Sequence, residues 1–158
     1  MQKFFTNTIV LIATGFLGLS AFALPLQAKS EQAKKSCETA IANSRSRIEK
    51  GRDVLVTTDI ADDNEIYSNP PNGRPLSVTI GVSGDAASSV MESPVFQKAI
   101  ASDIIKYCSS VGSVTFHMRE TDWAVTSGIM PNGTIQDFEC TDPAPEGQKP
   151  RWGQQSCL

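Results

Sequence analysis

Four cysteines, Cys37, Cys108, Cys140 and Cys157, constrain this 158-residue chain more than any other feature. An even count without a C-x-x-C pair reads as a disulfide framework in an oxidising compartment, and four cysteines admit three pairings. Spacing alone does not choose among them, but position favours one. Cys37 and Cys108 fall on the apolar stripes of two predicted helices, whereas Cys140 and Cys157 flank a polar, proline-rich tail with no core of its own. The favoured pairing is therefore Cys37–Cys108 with Cys140–Cys157, each link stabilising by ~3–4 kcal/mol through loop closure. Metal or redox chemistry is the weaker reading, because the single histidine stands at no zinc-ligand spacing from any cysteine.

The first 28 residues supply the expected address. Lys3 is a positive n-region, Ile9 to Leu24 is an uncharged apolar run of 16 residues, Pro25 breaks it, and Ala28 precedes an expected cut at Lys29. Ala21-Phe22-Ala23 offers a second cleavage site. An uncleaved anchor would need ~20 apolar residues, and no cysteine directly follows the run to carry a lipid. The expectation is an exported, soluble chain with no stable membrane insertion after cleavage.

Removing the leader leaves 130 residues, one domain's worth, with 13 basic and 17 acidic side chains and a net charge of −4. The charge is unevenly spread. Lys29 to Arg52 holds seven basic and three acidic residues; the remainder holds six and fourteen. A net-acidic domain is a poor partner for phosphate backbones, so nucleic-acid binding is disfavoured and the basic segment is read as lying against its own acidic domain.

The pattern along the chain is helix, strand, strand, helix, then three strands. Ser30 to Lys50 is amphipathic through Ala33, Cys37, Ala40, Ile41, Ser44 and Ile48, with Gly51 as its stop. Asp53 to Thr58 reads as a short strand and Asp59 to Pro75 as a loop, its Asn69-Pro70-Pro71-Asn72-Gly73 stretch excluding regular structure. Leu76, Val78, Ile80 and Val82 alternate with Ser77, Thr79 and Gly81, the mark of a half-buried strand. Ser93 as N-cap and Pro94 at the first helical position open the second helix, with a stripe of Phe96, Ala99, Ile100, Ile104, Tyr107, Cys108 and Val111 ended by Gly112. Strands over 113–120, 123–130 and 134–140 follow, the last two joined by Pro131-Asn132-Gly133 as a hairpin, with a bulge near Phe138. Residues 141–158 read as a tail fixed by Cys157, and 29–140 as one domain. The expected fold is α+β: a single mixed or antiparallel sheet of about five strands against two helices, with a C-terminal antiparallel meander and disulfide staples.

Ser93-Pro94-Val95-Phe96-Gln97-Lys98, Cys108, Asp122-Trp123, Gly128-Ile129-Met130 and Phe138-Glu139-Cys140 resemble small exported proteins of cyanobacteria that have no assigned function. The resemblance covers about residues 90–140. It implies no activity or ligand, and a periplasmic or thylakoid-lumenal address.

Candidate chemistry is sparse. Any imidazole mechanism runs through His117, with Arg119 and Asp122 as neighbours, yet strand alternation puts His117 on a polar face, where an exposed histidine is the usual outcome. Gly81-Val82-Ser83-Gly84 falls one residue short of a G-x-S-x-G elbow. The loop from Gly81 to Ala86 lacks Gly-Lys-Ser/Thr and carries Asp85, which would repel phosphate. Asp59, Asp62, Asp63 and Glu65 are calcium-ligand candidates, but Asn64 and Pro70 occupy the sixth and twelfth positions, where an EF-hand needs glycine and glutamate. Asn132-Gly133-Thr134 matches a glycosylation sequon and equally a hairpin turn. Trp123 is expected in the core and Trp152 exposed in the tail.

No cofactor is implied. The leading expectation is a non-enzymatic binding or structural protein of the cell envelope, in the periplasm, extracellular space or thylakoid lumen, with a protein or envelope component as partner. The rivals are a small extracytoplasmic hydrolase-like enzyme using His117 and a calcium or metal binder using Asp59 to Glu65.

Overall fold

The computed structural model describes residues 26–157; the expected leader, as far as Pro25, lies outside the described residues. Helix α1 (Leu26–Glu49) leads into β1 (Leu55–Asp62), the one-turn α2 (Asp63–Ile66), β2 (Leu76–Ser83), α3 (Ala87–Met91) and α4 (Pro94–Tyr107). Strands β3 (Val111–Met118), β4 (Ala124–Ile129), β5 (Ile135–Asp137), β6 (Glu139–Thr141) and β7 (Gln154–Ser156) complete the chain.

The five-stranded sheet runs in the order β1-β2-β3-β4-β5. It is mixed: β2 and β3 are parallel, and every other neighbouring pair is antiparallel. The parallel pair follows from the chain between them, which is long enough to carry α3 and α4 across one face. On that face Val78, Ile80, Val82, Val114 and Phe116 meet Ile48 of α1 and Ile100, Ile104 and Ile105 of α4, forming one buried core. The α+β class and the mixed five-strand sheet are as the pattern predicts; the strand expected over 134–140 is instead split into β5, which closes the sheet, and β6, which pairs with β7 in a second, two-stranded sheet.

Both disulfides form in the favoured pairing, Cys37–Cys108 and Cys140–Cys157. Cys108 is 1% exposed, at the end of α4, where the bridge ties the second helix to the first. Arg47 of α1 adds an ion pair with Asp103 of α4, so part of the basic segment does lie against acidic groups of its own domain.

Several boundaries differ from the sequence reading, each for a local reason. α1 starts at Leu26, four residues earlier than Ser30. β1 runs on to Asp62 because Asp59 to Asp62 pair in register with Thr79 to Leu76. An edge strand tolerates the polar, exposed pattern that had read as loop. α4 ends at Tyr107 and Gly112 lies within β3, so Gly112 is not the helix stop. The helix gives way at Cys108, whose backbone is extended, and Arg74 caps that end: its guanidinium donates to the carbonyls of Ile105 (2.9 Å), Cys108 (3.4 Å) and Val111 (2.7 Å). Cationic donors suit the negative end of a helix. The buried stripe of α4 is also rotated: Gln97, Ala101 and Ile105 point inward, while Ala99 and Tyr107 are exposed. Buried Gln97 is satisfied by donating to the carbonyls of Val90 and Met91, each at 3.0 Å, which ties α4 to α3.

The tail is built into the fold. Residues of β6 and β7 pair in parallel, and Ser68 bridges to Arg151. The two tryptophans exchange their expected roles. Trp123 is 39% exposed, whereas Trp152 is half-buried against Phe138 and Tyr67 with its Nε1 donating to the Ile129 carbonyl at 2.9 Å. Its seat exists because a Cβ at Gly112 or Gly128 would stand 3.1 or 3.0 Å from the indole. Bare backbone at those two positions lets an aromatic ring lie directly on the sheet.

Candidate functional site

The helix-free face of the sheet collects the polar half of every strand. In register, Ala61, Ser77, Ser113 and Gly128 form one row; Asp59, Thr79, Thr115 and Thr126 the next; Thr57, Gly81, His117 and Ala124 the third. The tail and Tyr67 cover the first row. The other two rows stay partly open, with Asp59 and Arg119 exposed and Thr57, Thr79, Thr115 and His117 half-buried.

His117 and Arg119 thus share a face with Asp59, which the sequence had placed in a separate loop. The His117 Nε2 lies 2.9 Å from the Thr121 carbonyl. A carbonyl only accepts, so Nε2 carries a proton and donates it. Arg119 donates its backbone N–H to Val82 and lays its stem over Gly81, where a Cβ would meet it at 3.5 Å. Asp122 lies exposed in the turn between β3 and β4, which Thr121 organises by donating its hydroxyl to the Met118 carbonyl and accepting from the Trp123 N–H. No hydrogen bond or ion pair among the described residues joins His117, Arg119 and Asp122.

The four acidic candidates diverge. Asp59 faces outward from β1; Asp62 caps α2 by accepting from the Asn64 N–H at 2.8 Å; Glu65 is exposed on α2; Asp63 is fully buried. Among the described residues no three His, Cys, Asp or Glu side chains are placed to hold a metal ion together.

Asp63 is the group that sequence reasoning misplaced most. The Ser113 hydroxyl donates to its carboxylate, 3.2 Å from both oxygens. Ser77, the strand partner of Ser113, brings a second buried hydroxyl beside the same carboxyl; it has no hydrogen bond of normal geometry. Burial pushes the Asp63 carboxyl up to about 6, against the pull of the two hydroxyls. Burial also raises the Tyr67 phenol, with the Asp63 charge adding to it. Tyr67 closes this corner through edge-on contacts with Phe138 at 5.3 Å and Trp152 at 5.4 Å. The sequence carries a faint signal, a serine at a polar position of each of the strands β2 and β3, which become partners only once the sheet is formed.

The remaining motifs resolve as turns. Gly84 adopts φ +101° and passes so close to Asp53 that a Cβ would stand 2.9 Å from its carbonyl; Ser83, the would-be elbow residue, pairs with Leu55. Asn132 accepts from the Thr134 N–H and hydroxyl, and Gly133 turns the chain with positive φ. Two grooves border α1. One, of about 580 Å³, runs between α1 and α4 past Lys35, Asn43, Arg47, Asp103 and Tyr107. The other, of about 510 Å³, lies between α1 and the end of β1, walled by Ile41, Ile60, Leu76 and the Cys37–Cys108 bridge.

No described helix is long and apolar enough to cross a membrane. The two disulfides are compatible with an oxidising, exported compartment. Comparison of the chain with protein-family models, with curated proteins and with solved structures returned no match.

Proposed function

We propose that this chain is a non-enzymatic binding protein of the cell envelope, exported to the periplasm, extracellular space or thylakoid lumen, whose ligand is a protein or another envelope component. The carrying observation is the partly open sheet face, where Asp59, Thr79, Thr115, His117 and Arg119 stand together while the opposite face is filled by helices. Loops and faces left open on a rigid scaffold are where binding groups concentrate. The hydroxyls offer donors and acceptors, Arg119 a planar cation, and His117 a ring nitrogen, Nδ1, left free for a ligand by the Nε2 contact. Among the described residues no acid or nucleophile is hydrogen-bonded to His117, which favours binding over acyl or phosphoryl transfer.

The test is capture from a solubilised envelope fraction on the immobilised protein, compared with the doubly substituted His117→Ala, Arg119→Ala protein of equal melting temperature. A component retained by the first and lost from the second supports the reading. Identical recovery on both refutes the assignment of this face.

A further inference from the structure

The outer edge of β1 is an eight-residue strand whose charges are Asp59 and Asp62, without the lysine, proline or bulge that commonly blunts an edge. It pairs with β2 on one side in unbroken register, and as the first strand of the order it has no neighbouring strand on the other among the described residues. The sequence LVTTDIAD contains no proline, lysine or arginine, and the pairing contains no bulge. Natural edges are blunted by just those devices, because unpaired N–H and C=O groups recruit another strand. The other edge of the sheet differs: β5 has three residues, after which Phe138 turns under the tail.

The strand also offers side-chain contacts on both faces. On the helix side Ile60 is 58% exposed and forms a wall of the apolar groove with Ile41 and Leu76. On the open side Leu55 is 55% exposed at one end, and Asp59 projects with no ion-pair partner among the described residues. An added strand places adjacent residues on opposite faces. Its residue opposite Ile60 therefore enters the groove, and its neighbour opposite Asp59 meets a carboxylate.

We infer that β1 accepts an extended segment of a partner protein in which apolar residues alternate with lysine or arginine, joined by main-chain pairing in the manner of strand addition. This rests on reading the chain as a binding protein, and uses the sheet's edge where the preceding assay probes its face. Charge favours such a partner over a second copy. A two-fold antiparallel pairing of two β1 strands keeps like faces together only when centred on a residue. Of these registers the longest are centred on Asp59, which sets two carboxylates directly opposite, and on Thr58, which sets them diagonally on one face, both unfavourable; the others pair only part of the strand. A basic residue opposite Asp59 reverses the sign of that contact.

The experiment uses two labelled decapeptides, one alternating valine with lysine and one alternating valine with aspartate, titrated into the purified protein and read by fluorescence anisotropy. The lysine peptide should saturate and bind at least tenfold tighter than the aspartate peptide. Ile60→Lys should remove binding. Asp59→Lys, exposed and remote from the core, should invert the preference between the peptides while leaving the melting temperature within a few degrees. Failure to saturate, or equal binding of both peptides with no response to Asp59→Lys, overturns the inference. Sedimentation showing a peptide-free dimer that Ile60→Lys dissociates overturns it in favour of self-pairing. If the peptides fail while the face still captures an envelope component, the edge assignment falls alone; if both fail, the binding reading falls with it.

Discussion

Asp63→Asn should make the protein more stable at neutral pH and leave it nearly unchanged at pH 4. Asp63 is fully buried, and burial raises its carboxyl from 3.8 to about 6. At about 1.4 kcal/mol for each tenfold change in proton affinity, the folded state disfavours the ionised carboxyl by about 3 kcal/mol. The sign follows from linkage. Because the folded value is the higher one, the folded protein holds the proton more tightly than the unfolded chain. The favourable contribution is complete below about pH 4, declines as pH rises through 6, and is absent above it. An amide at this position does not titrate. Its oxygen still accepts from Ser113, and its NH2 gains Ser77, the buried hydroxyl that lacks a partner. Urea denaturation with disulfides intact, followed by tryptophan fluorescence between pH 4 and 7.5, measures the difference between the two proteins. Other groups titrate alike in both and cancel. The stabilisation should grow by about 2 kcal/mol from pH 4 to pH 7, since part of the full difference has already appeared at pH 4. Parallel curves across that range would refute the reasoning, because they would mean that Asp63 ionises in the fold as easily as in the unfolded chain.

Three further outcomes follow from the packing. Gly128→Ala puts a Cβ 2.5 Å from the Phe138 ring, and should destabilise by ~1–3 kcal/mol with a red shift of tryptophan emission as Trp152 is displaced. Arg74→Met removes the charged donor from three carbonyls at the end of α4 and should lower stability by ~2–3 kcal/mol in denaturant titrations. Under graded dithiothreitol with alkylation and mass spectrometry, Cys140–Cys157, whose residues are both exposed, should open before Cys37–Cys108, whose Cys108 is 1% exposed; simultaneous opening would contradict the burial argument.

What the sequence revealed depended on whether one chain segment carried its own signal. The alternation of Leu76 to Val82 is set by a strand buried on one face, so period two is visible without knowing the neighbours. Ser93-Pro94 opens α4 through local backbone preferences, and that start is where the structure has it. The distant determinants were invisible. The end of α4 is capped by Arg74, 31 residues away from Ile105 in sequence. The polar end of β1 has strand form because β2 supplies a ladder, which overrides a composition typical of loops. Trp152 is packed because two glycines of other strands leave room for it. The candidate site suffered most: Asp59, Asp63, His117 and Arg119 lie on one side of a sheet, but a linear reading divides them between a loop and a strand, and hides that Asp63 is sealed while the others are reachable.

The two disulfides also partition the molecule topologically. Cys37–Cys108 closes a covalent ring containing β1, β2, α3 and α4, and Cys140–Cys157 closes a second one containing the tail. Between them, residues 109–139 form a single-stranded tether that includes the exposed turn from Glu120 to Trp123. A protease nick inside either ring therefore leaves one molecule on a non-reducing gel. A nick at that turn yields two pieces with no covalent link, held only by noncovalent contacts such as the pairing of β3 with β4, the Ser68–Arg151 bridge and the packing of Phe138 and Trp152 on Tyr67, so in denaturant this short exposed segment is where a single cleavage separates an otherwise doubly locked protein.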